Sequence, residues 1–204
     1  MIEILVATTN KNKVKEIEEI LSDFPVELKL YTLSEKRLEF PAPEDGETFL
    51  ENAATKSVFY SKFEPEILVV AEDSGLEVEA LNNRPGVYSA RYSGKNASDE
   101  DNIKKLLDEL KGVKNRKARF VSAVSLCKDS KLIKSFIAEV KGVIIDEKRG
   151  DNGFGYDPIF YFPEFNKTFA EISMEQKNQV SHRRKAFEKL KDFLIKNIDR
   201  FIKS

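Results

Sequence analysis

Glu72 and Asp73 are adjacent acids at a point in the chain where carboxylates could do chemistry. They follow the apolar run Ile67, Leu68, Val69, Val70, Ala71, which has the length and β-branching of a buried strand. The turn-forming pair Ser74-Gly75 comes next, so the spacing predicts a strand that stops at the two acids. A carboxylate at the end of a buried strand loses solvation and needs a compensating charge. A divalent cation such as Mg²⁺, which prefers hard oxygen ligands, would supply it. The same acids could decorate an exposed turn, and spacing alone leaves both readings open.

Three other stretches carry groups suited to chemistry. Thr8-Thr9-Asn10 is a polar loop between the apolar run 2–7 and Val14, Ile17, Ile20, Leu21 and Phe24, which recur at helical spacing. Strand, tight loop and helix together aim backbone N–H groups at an anion. Asn10 can cap that helix, while Lys13 in its first turn opposes the helix dipole unless an anion is bound. A surface lysine tolerated at small cost gives the same pattern. In RGDNGFGYDPIFY, Gly150, Gly153 and Gly155 permit positive φ or close backbone approach to a ligand. Phe154 and Tyr156 there offer flat surfaces and Asp157 an acceptor, although a plain loop with packed aromatics fits equally. His182, Arg183 and Arg184 crowd the first turn of the last helix, where cations are disfavoured; function and solvated surface charge both account for them.

These groups must be held by an alternation of strands and helices. Val26, Leu28 and Leu30 alternate with polar residues as in a half-exposed strand. Thr48 and Glu51 stand at capping-box spacing, opening a helix with Phe49, Ala53, Ala54, Ser57 and Tyr60 near one face and Lys56 on a different one. Ser98 and Asp101 open another helix with the stripe Ile103, Leu106, Leu107, Leu110, and Gly112 is placed to end it. Residues 118–127 and 132–145 read as an antiparallel hairpin. Ser181 caps a last helix whose buried stripe is Phe187, Leu190, Leu194, Ile198 and Phe201.

A chain of 204 residues with 34 basic against 35 acidic side chains has a substantial core and no field that would favour a nucleic-acid polymer. Cys127 is the only cysteine, so an intrachain disulfide is excluded, and its apolar setting reads as core packing. With no signal peptide and no run long enough for a membrane span, a reducing cytoplasm is the expected location. His182 is the only histidine, so a serine-hydrolase triad would have to be built on it.

Six segments, TTNKNK (8–13), PEDGETFLENAATKS (43–57), AEDSGL (71–76), PGVYSARYSG (85–94), GFGYDPIF (153–160) and SHR (181–183), resemble in kind and order the inosine/xanthosine triphosphate pyrophosphatase family. Its members remove non-standard purine nucleotides. The resemblance implies an α/β fold, an elongated curved mixed β-sheet flanked by helices, with two lobes and a central cleft. It implies that residues 1–204 form a single nucleoside-triphosphate pyrophosphatase domain, commonly a homodimer. The implied reaction is Mg²⁺-dependent hydrolysis of ITP, dITP or XTP to the monophosphate and pyrophosphate. By position, Thr8, Thr9, Asn10, Lys11, Asn12 and Lys13 resemble the first phosphate-binding segment, and Lys56 a further phosphate contact. Glu44 and Asp73 resemble metal ligands, Asp73 also the general base, and Ser74 a nucleotide contact. Phe154, Gly155, Tyr156, Asp157, Lys177, His182 and Arg183 resemble the base-recognition set, while Glu72 stands where some relatives carry Asp. Two other readings compete: a septum-inhibitor type of pyrophosphatase acting on modified pyrimidine nucleotides, and a nucleotide sensor that binds without cleaving. SHR and GFGYD favour the purine enzyme over the first, and intact Glu44 and Asp73 argue against the second.

Overall fold

The computed structural model describes residues 1–201. Strand β1 (Ile2–Val6) leads through the polar loop into helix α1 (Lys11–Leu21). Asn10 caps α1 as expected, its side chain accepting from the backbone N–H groups of Asn12 and Lys13. Strand β2 (Leu28–Thr32) and helix α2 (Phe49–Ser61) follow, the latter opened by the Thr48/Glu51 capping box. Lys56 departs from expectation, because it shares the buried face of α2 with Asn52, Ala53 and Tyr60. A lysine with carboxylate partners can be buried, and helical spacing carries no record of such partners.

Strand β3 (Leu68–Val78) corrects the predicted stop at the acids. It continues through Ser74 and Gly75, because Leu76 and Val78 are again fully buried and restore the alternation. Two short 3₁₀ turns and helix α3 (Asp99–Glu109) come next, and α3 carries the expected Ser98/Asp101 capping box. The hairpin joins β4 (Lys117–Lys128) to β5 (Lys131–Ile144). Its two-residue turn has φ of 47° at Asp129 and 59° at Ser130, the twist that suits a tight hairpin. Strands β6 (Phe160–Phe162) and β7 (Lys167–Thr168) and helix α4 (Met174–Val180) lead to α5 (His182–Lys196) and α6 (Ile198–Phe201). The single last helix expected from its stripe is therefore two helices, parted at Asn197, a poor helix former.

The strands hydrogen-bond in the order β2-β1-β3-β4-β5-β6-β7. β1 is parallel to β2 and β3, whereas β5–β6 and β6–β7 are antiparallel, so the sheet is mixed and flanked by helices, as expected. The chain divides into two compact units. Among the described residues, the first holds 1–73, 122–138 and 183–201; the second holds 74–121 and 139–182.

In the first unit β1 and the start of β3 are buried on both faces. Ile2, Ile4, Val6, Leu68 and Val70 pack with Ile17 and Ile20 of α1 and Phe187 and Leu190 of α5. Leu5, Ala7, Val69 and Ala71 pack on the other side with Tyr60 of α2. Alternation along β3 therefore turns Glu72 toward α1 and α5, and Asp73 toward α2. The second unit has its own core, with Leu76, Val78, Phe120, Phe160 and Phe169 among its buried residues.

Candidate functional site

On the α1/α5 side of the first unit, Glu72 is the centre of a closed network. Lys13 Nζ lies 2.8 Å from Glu72 Oε2, and Ser122 Oγ donates to Oε1 at 2.9 Å. The Arg183 guanidinium reaches Glu72 Oε1 at 3.2 Å and also pairs with Glu16. Glu16 and Lys13 lie three residues apart on α1, so one helix face supplies an acid and a base together. Burial works against the Arg183 charge, but Glu72 and Glu16 outweigh it and leave its pKa above the ordinary value. The cations that looked misplaced at the start of α5 are thus accounted for. Arg183 neutralises two buried acids, Arg184 pairs with Glu188 at 2.7 Å one turn on, and His182 stacks on Phe120 at 4.9 Å between ring centroids.

On the α2 side, Lys56 Nζ lies 2.8 Å from Glu44 Oε1 and 3.4 Å from Asp73 Oδ1. Asn52 Nδ2 donates to Asp73 Oδ2 at 3.0 Å. Burial pushes the Asp73 carboxyl up, against the pull of Lys56, Lys13 and the Asn52 hydrogen bond. Burial also opposes the Lys56 charge, yet Asp73 and Glu44 hold its pKa above the ordinary value. The Thr8 hydroxyl accepts from the Asn10 N–H at 3.2 Å, while Thr9, Lys11 and Asn12 are exposed around the start of α1. Among the described residues no three His, Cys, Asp or Glu side chains are grouped to hold a metal by themselves. Mg²⁺ does not need such a cage, since one or two carboxylates suffice when substrate phosphates and waters complete its shell. Glu44 and Asp73, two hard-oxygen donors already sharing one cation in Lys56, fit that demand.

The second unit holds the glycine-rich stretch. Gly150, Gly153 and Gly155 all have positive φ, of 80°, 76° and 60°. At Gly153 a Cβ would stand 2.1 Å from Asp157 Oδ2, so the backbone here closes directly on that carboxylate. Asp157 Oδ2 accepts from the Phe154 N–H at 3.0 Å and from Lys177 Nζ at 2.6 Å. Lys177 Nζ also lies 4.8 Å from the centroid of the half-buried Phe154 ring. Asp99 of α3 accepts from the Gly155 N–H at 2.6 Å. Tyr156 does not present a flat face; its ring is 4% exposed and its hydroxyl donates to the Ser89 carbonyl at 2.9 Å. Ser74 is half-buried within β3.

The structure thus gathers Lys13, Glu44, Lys56, Asp73 and Arg183 in the first unit, and Phe154, Asp157, Lys177 and His182 in the second. Sequence reasoning passed over Glu16, Asn52, Ser122 and Asp99. Glu16 could have been found, since it interrupts the apolar side of α1 next to Ile17, and Asn52 lies one turn before Lys56.

The Ham1 family model matches residues 4–193. This chain belongs to the Ham1 family. The matched range takes in all six segments from TTNKNK to SHR. Among curated relatives of this Ham1 chain, a Desulfotalea psychrophila protein named dITP/XTP pyrophosphatase is 50% identical over 188 residues, covering 92% of this chain and 83% of that protein. A Clostridium perfringens protein of the same name is 45% identical over 203 residues, covering 95% and 98%. The Staphylococcus aureus Ham1 structure superposes with a TM-score of 0.85 at 46% identity, covering 96% of this Ham1 chain and 99% of that one. A Coxiella burnetii HAM1 structure does so with a TM-score of 0.85 at 39% identity, covering 96% and 100%.

Proposed function

We propose that the chain hydrolyses the non-standard purine nucleoside triphosphates ITP, dITP and XTP to the monophosphate and pyrophosphate. One observation carries this reading: Lys56 is shared by Glu44 and Asp73, in a chain whose relatives at 45–50% identity bear the name dITP/XTP pyrophosphatase. Residues 1–204 then act as one functional domain.

Phosphoryl chemistry asks a protein for positioning and charge neutralisation more than for covalent steps. Lys13, Lys56 and the N–H groups at the start of α1 supply positive potential for the triphosphate, with Thr8 to Asn12 shaping the loop. Asp73 is the base that takes a proton from the attacking water as its oxygen bonds to the α-phosphorus and the link to the β-phosphate breaks. Glu44 and Asp73 would hold Mg²⁺, which when bound neutralises phosphate charge and acidifies its waters. Phe154 stacks on the base, while Asp157 and Lys177 fix the stretch that carries it and Ser74 and His182 complete the nucleotide contacts. The guanidinium of Arg183, turned to Glu16 and Glu72, supports the phosphate side and leaves base discrimination to its neighbours. The resemblance to the pyrophosphatases further supports a cytoplasmic homodimer, to be checked by analytical ultracentrifugation. No described helix is long and apolar enough to cross a membrane.

The test is a panel of ITP, dITP, XTP, ATP, GTP and modified pyrimidine triphosphates with Mg²⁺, products resolved by ³¹P NMR. Monophosphate and pyrophosphate in equal amounts, with inosine and xanthosine nucleotides preferred, is the expected outcome. Orthophosphate with a diphosphate as primary products would reject cleavage at the α–β bond. Preference for a modified pyrimidine would move the chain to the competing class.

A further inference from the structure

Asn52 is the fourth residue of α2 and is only 2% exposed. Asparagine is a poor helix former, because its side chain competes for backbone hydrogen bonds. The capping box does not require it either: Thr48 accepts from the Glu51 N–H, and Glu51 accepts from the N–H groups of Glu47 and Thr48. A buried carboxamide must find partners for both of its ends. Its Nδ2 donates to Asp73 Oδ2 at 3.0 Å, and its Oδ1 accepts from the Gly46 N–H at 2.9 Å.

Those partners lie in different segments. Asp73 is in the middle of β3, and Gly46 is two residues after Glu44 in the loop that precedes α2. Lys56, one turn along α2 from Asn52, touches both Glu44 and Asp73. One face of α2 therefore ties the two acids together twice, through the lysine charge and through the asparagine amide. The lysine tie is electrostatic and can give way when another cation arrives. The amide tie is directional and orients one oxygen of Asp73, leaving Oδ1 toward Lys56. Gly46 records how close this approach is: a Cβ there would stand 2.8 Å from Asn52 Oδ1 and 2.8 Å from Glu51 Cβ.

We infer that Asn52 is a positioning residue, whose amide sets the distance and orientation of Glu44 and Asp73 before any cation binds. The inference rests on the reading of those two acids as the Mg²⁺-holding pair. Residues that orient metal ligands without touching the metal typically matter by about 10–100-fold in metal affinity or activity.

The experiment compares wild type with Asn52→Ala, Gly46→Ala and Asp73→Asn. Mn²⁺ affinity is measured on the nucleotide-free protein by electron paramagnetic resonance, followed by kcat and KM on inosine triphosphate. Asn52→Ala is expected to weaken Mn²⁺ binding and to lower kcat, each by about 10-fold or more, with KM changed less than about 3-fold. Gly46→Ala, on the loop and outside the core, is expected to shift both quantities in the same direction by a smaller factor, and it serves if Asn52→Ala does not fold. Added to Asp73→Asn, Asn52→Ala should cost little more, since the amide acts through that carboxylate. Wild-type Mn²⁺ affinity and kcat in a folded Asn52→Ala, while Asp73→Asn loses both, would overturn the inference alone. Unchanged Mn²⁺ binding in Asp73→Asn would overturn the metal reading beneath it, and the inference with it.

Discussion

Lys177 Nζ stands 2.6 Å from Asp157 Oδ2, with the two side chains 4% and 2% exposed. The same oxygen accepts the Phe154 N–H, so this ion pair anchors the backbone that presents the aromatic ring. Breaking one partner of a buried pair leaves an uncompensated charge. Asp157→Asn should therefore cost about 3–5 kcal/mol and lower Tm by about 10 °C, read by differential scanning calorimetry. The Michaelis constant for inosine triphosphate should rise as well, because the Phe154 segment loses its anchor. An unchanged Tm would mean that the pair is solvated and unimportant.

Two neighbouring arginines should behave in opposite ways. Arg183 is buried against Glu16 and Glu72, so Arg183→Ala strands two carboxylates and should destabilise by about 3–5 kcal/mol. Arg184 meets Glu188 at the surface, and Arg184→Ala should change stability by no more than about 0.5 kcal/mol. Urea unfolding of both variants makes the comparison, and similar midpoints would contradict the network assigned to Arg183.

Asp73→Asn keeps the shape and one acceptor but removes charge and basicity. Turnover should fall by roughly a hundredfold or more, while nucleotide binding falls much less. Stopped assays for kcat and isothermal titration for binding separate the two effects. EDTA should abolish wild-type turnover and added Mg²⁺ restore it. Near-normal kcat in the variant would reduce Asp73 to a structural acid.

Cys127 is fully buried on β4, with its Sγ 3.1 Å from Ser61 Oγ, and burial pushes its thiol pKa up. A neutral, enclosed thiol is a poor nucleophile. A disulfide reagent such as DTNB should label native protein only at the rate of unfolding and react at once in denaturant. Cys127→Ala should keep full activity. Rapid labelling of folded protein would show an open route to the thiol.

Much of the scaffold was legible because local chemistry decided it. Asn10, Thr48 and Ser98 cap helices wherever the chain goes next, and Asp129-Ser130 closes a hairpin without help from distant residues. What stayed hidden depends on partners far away in sequence. The two acids looked like a stop signal because nothing near them reveals that Lys13, Ser122 and Arg183 neutralise Glu72 inside a continuing strand. Lys56 reads as lying off the apolar face of α2 for the same reason. Arg183 stood out as an anomaly of its helix, but the acids that explain it are supplied by α1 and β3. The catalytic assignments came from the resemblance of six short segments, whereas Asn52, inside one of those segments, shows its geometry only once Asp73 is beside it.

Glu72 and Asp73 are neighbours in the chain that never share a task, because consecutive residues of β3 address opposite sides of the sheet. The strand therefore works as a reading frame. A conservative change of side chain between Ile67 and Ala71 perturbs packing locally, but deletion of a single residue there exchanges the two sides. Asp73 would then take the place of Glu72 beside Lys13 and Arg183, and Ser74 would take the place of Asp73 beside Lys56 and Asn52. Insertions and deletions should accordingly be absent from this stretch in any functional variant library, while the polar loop around Pro41 and Pro43 accepts them far more readily.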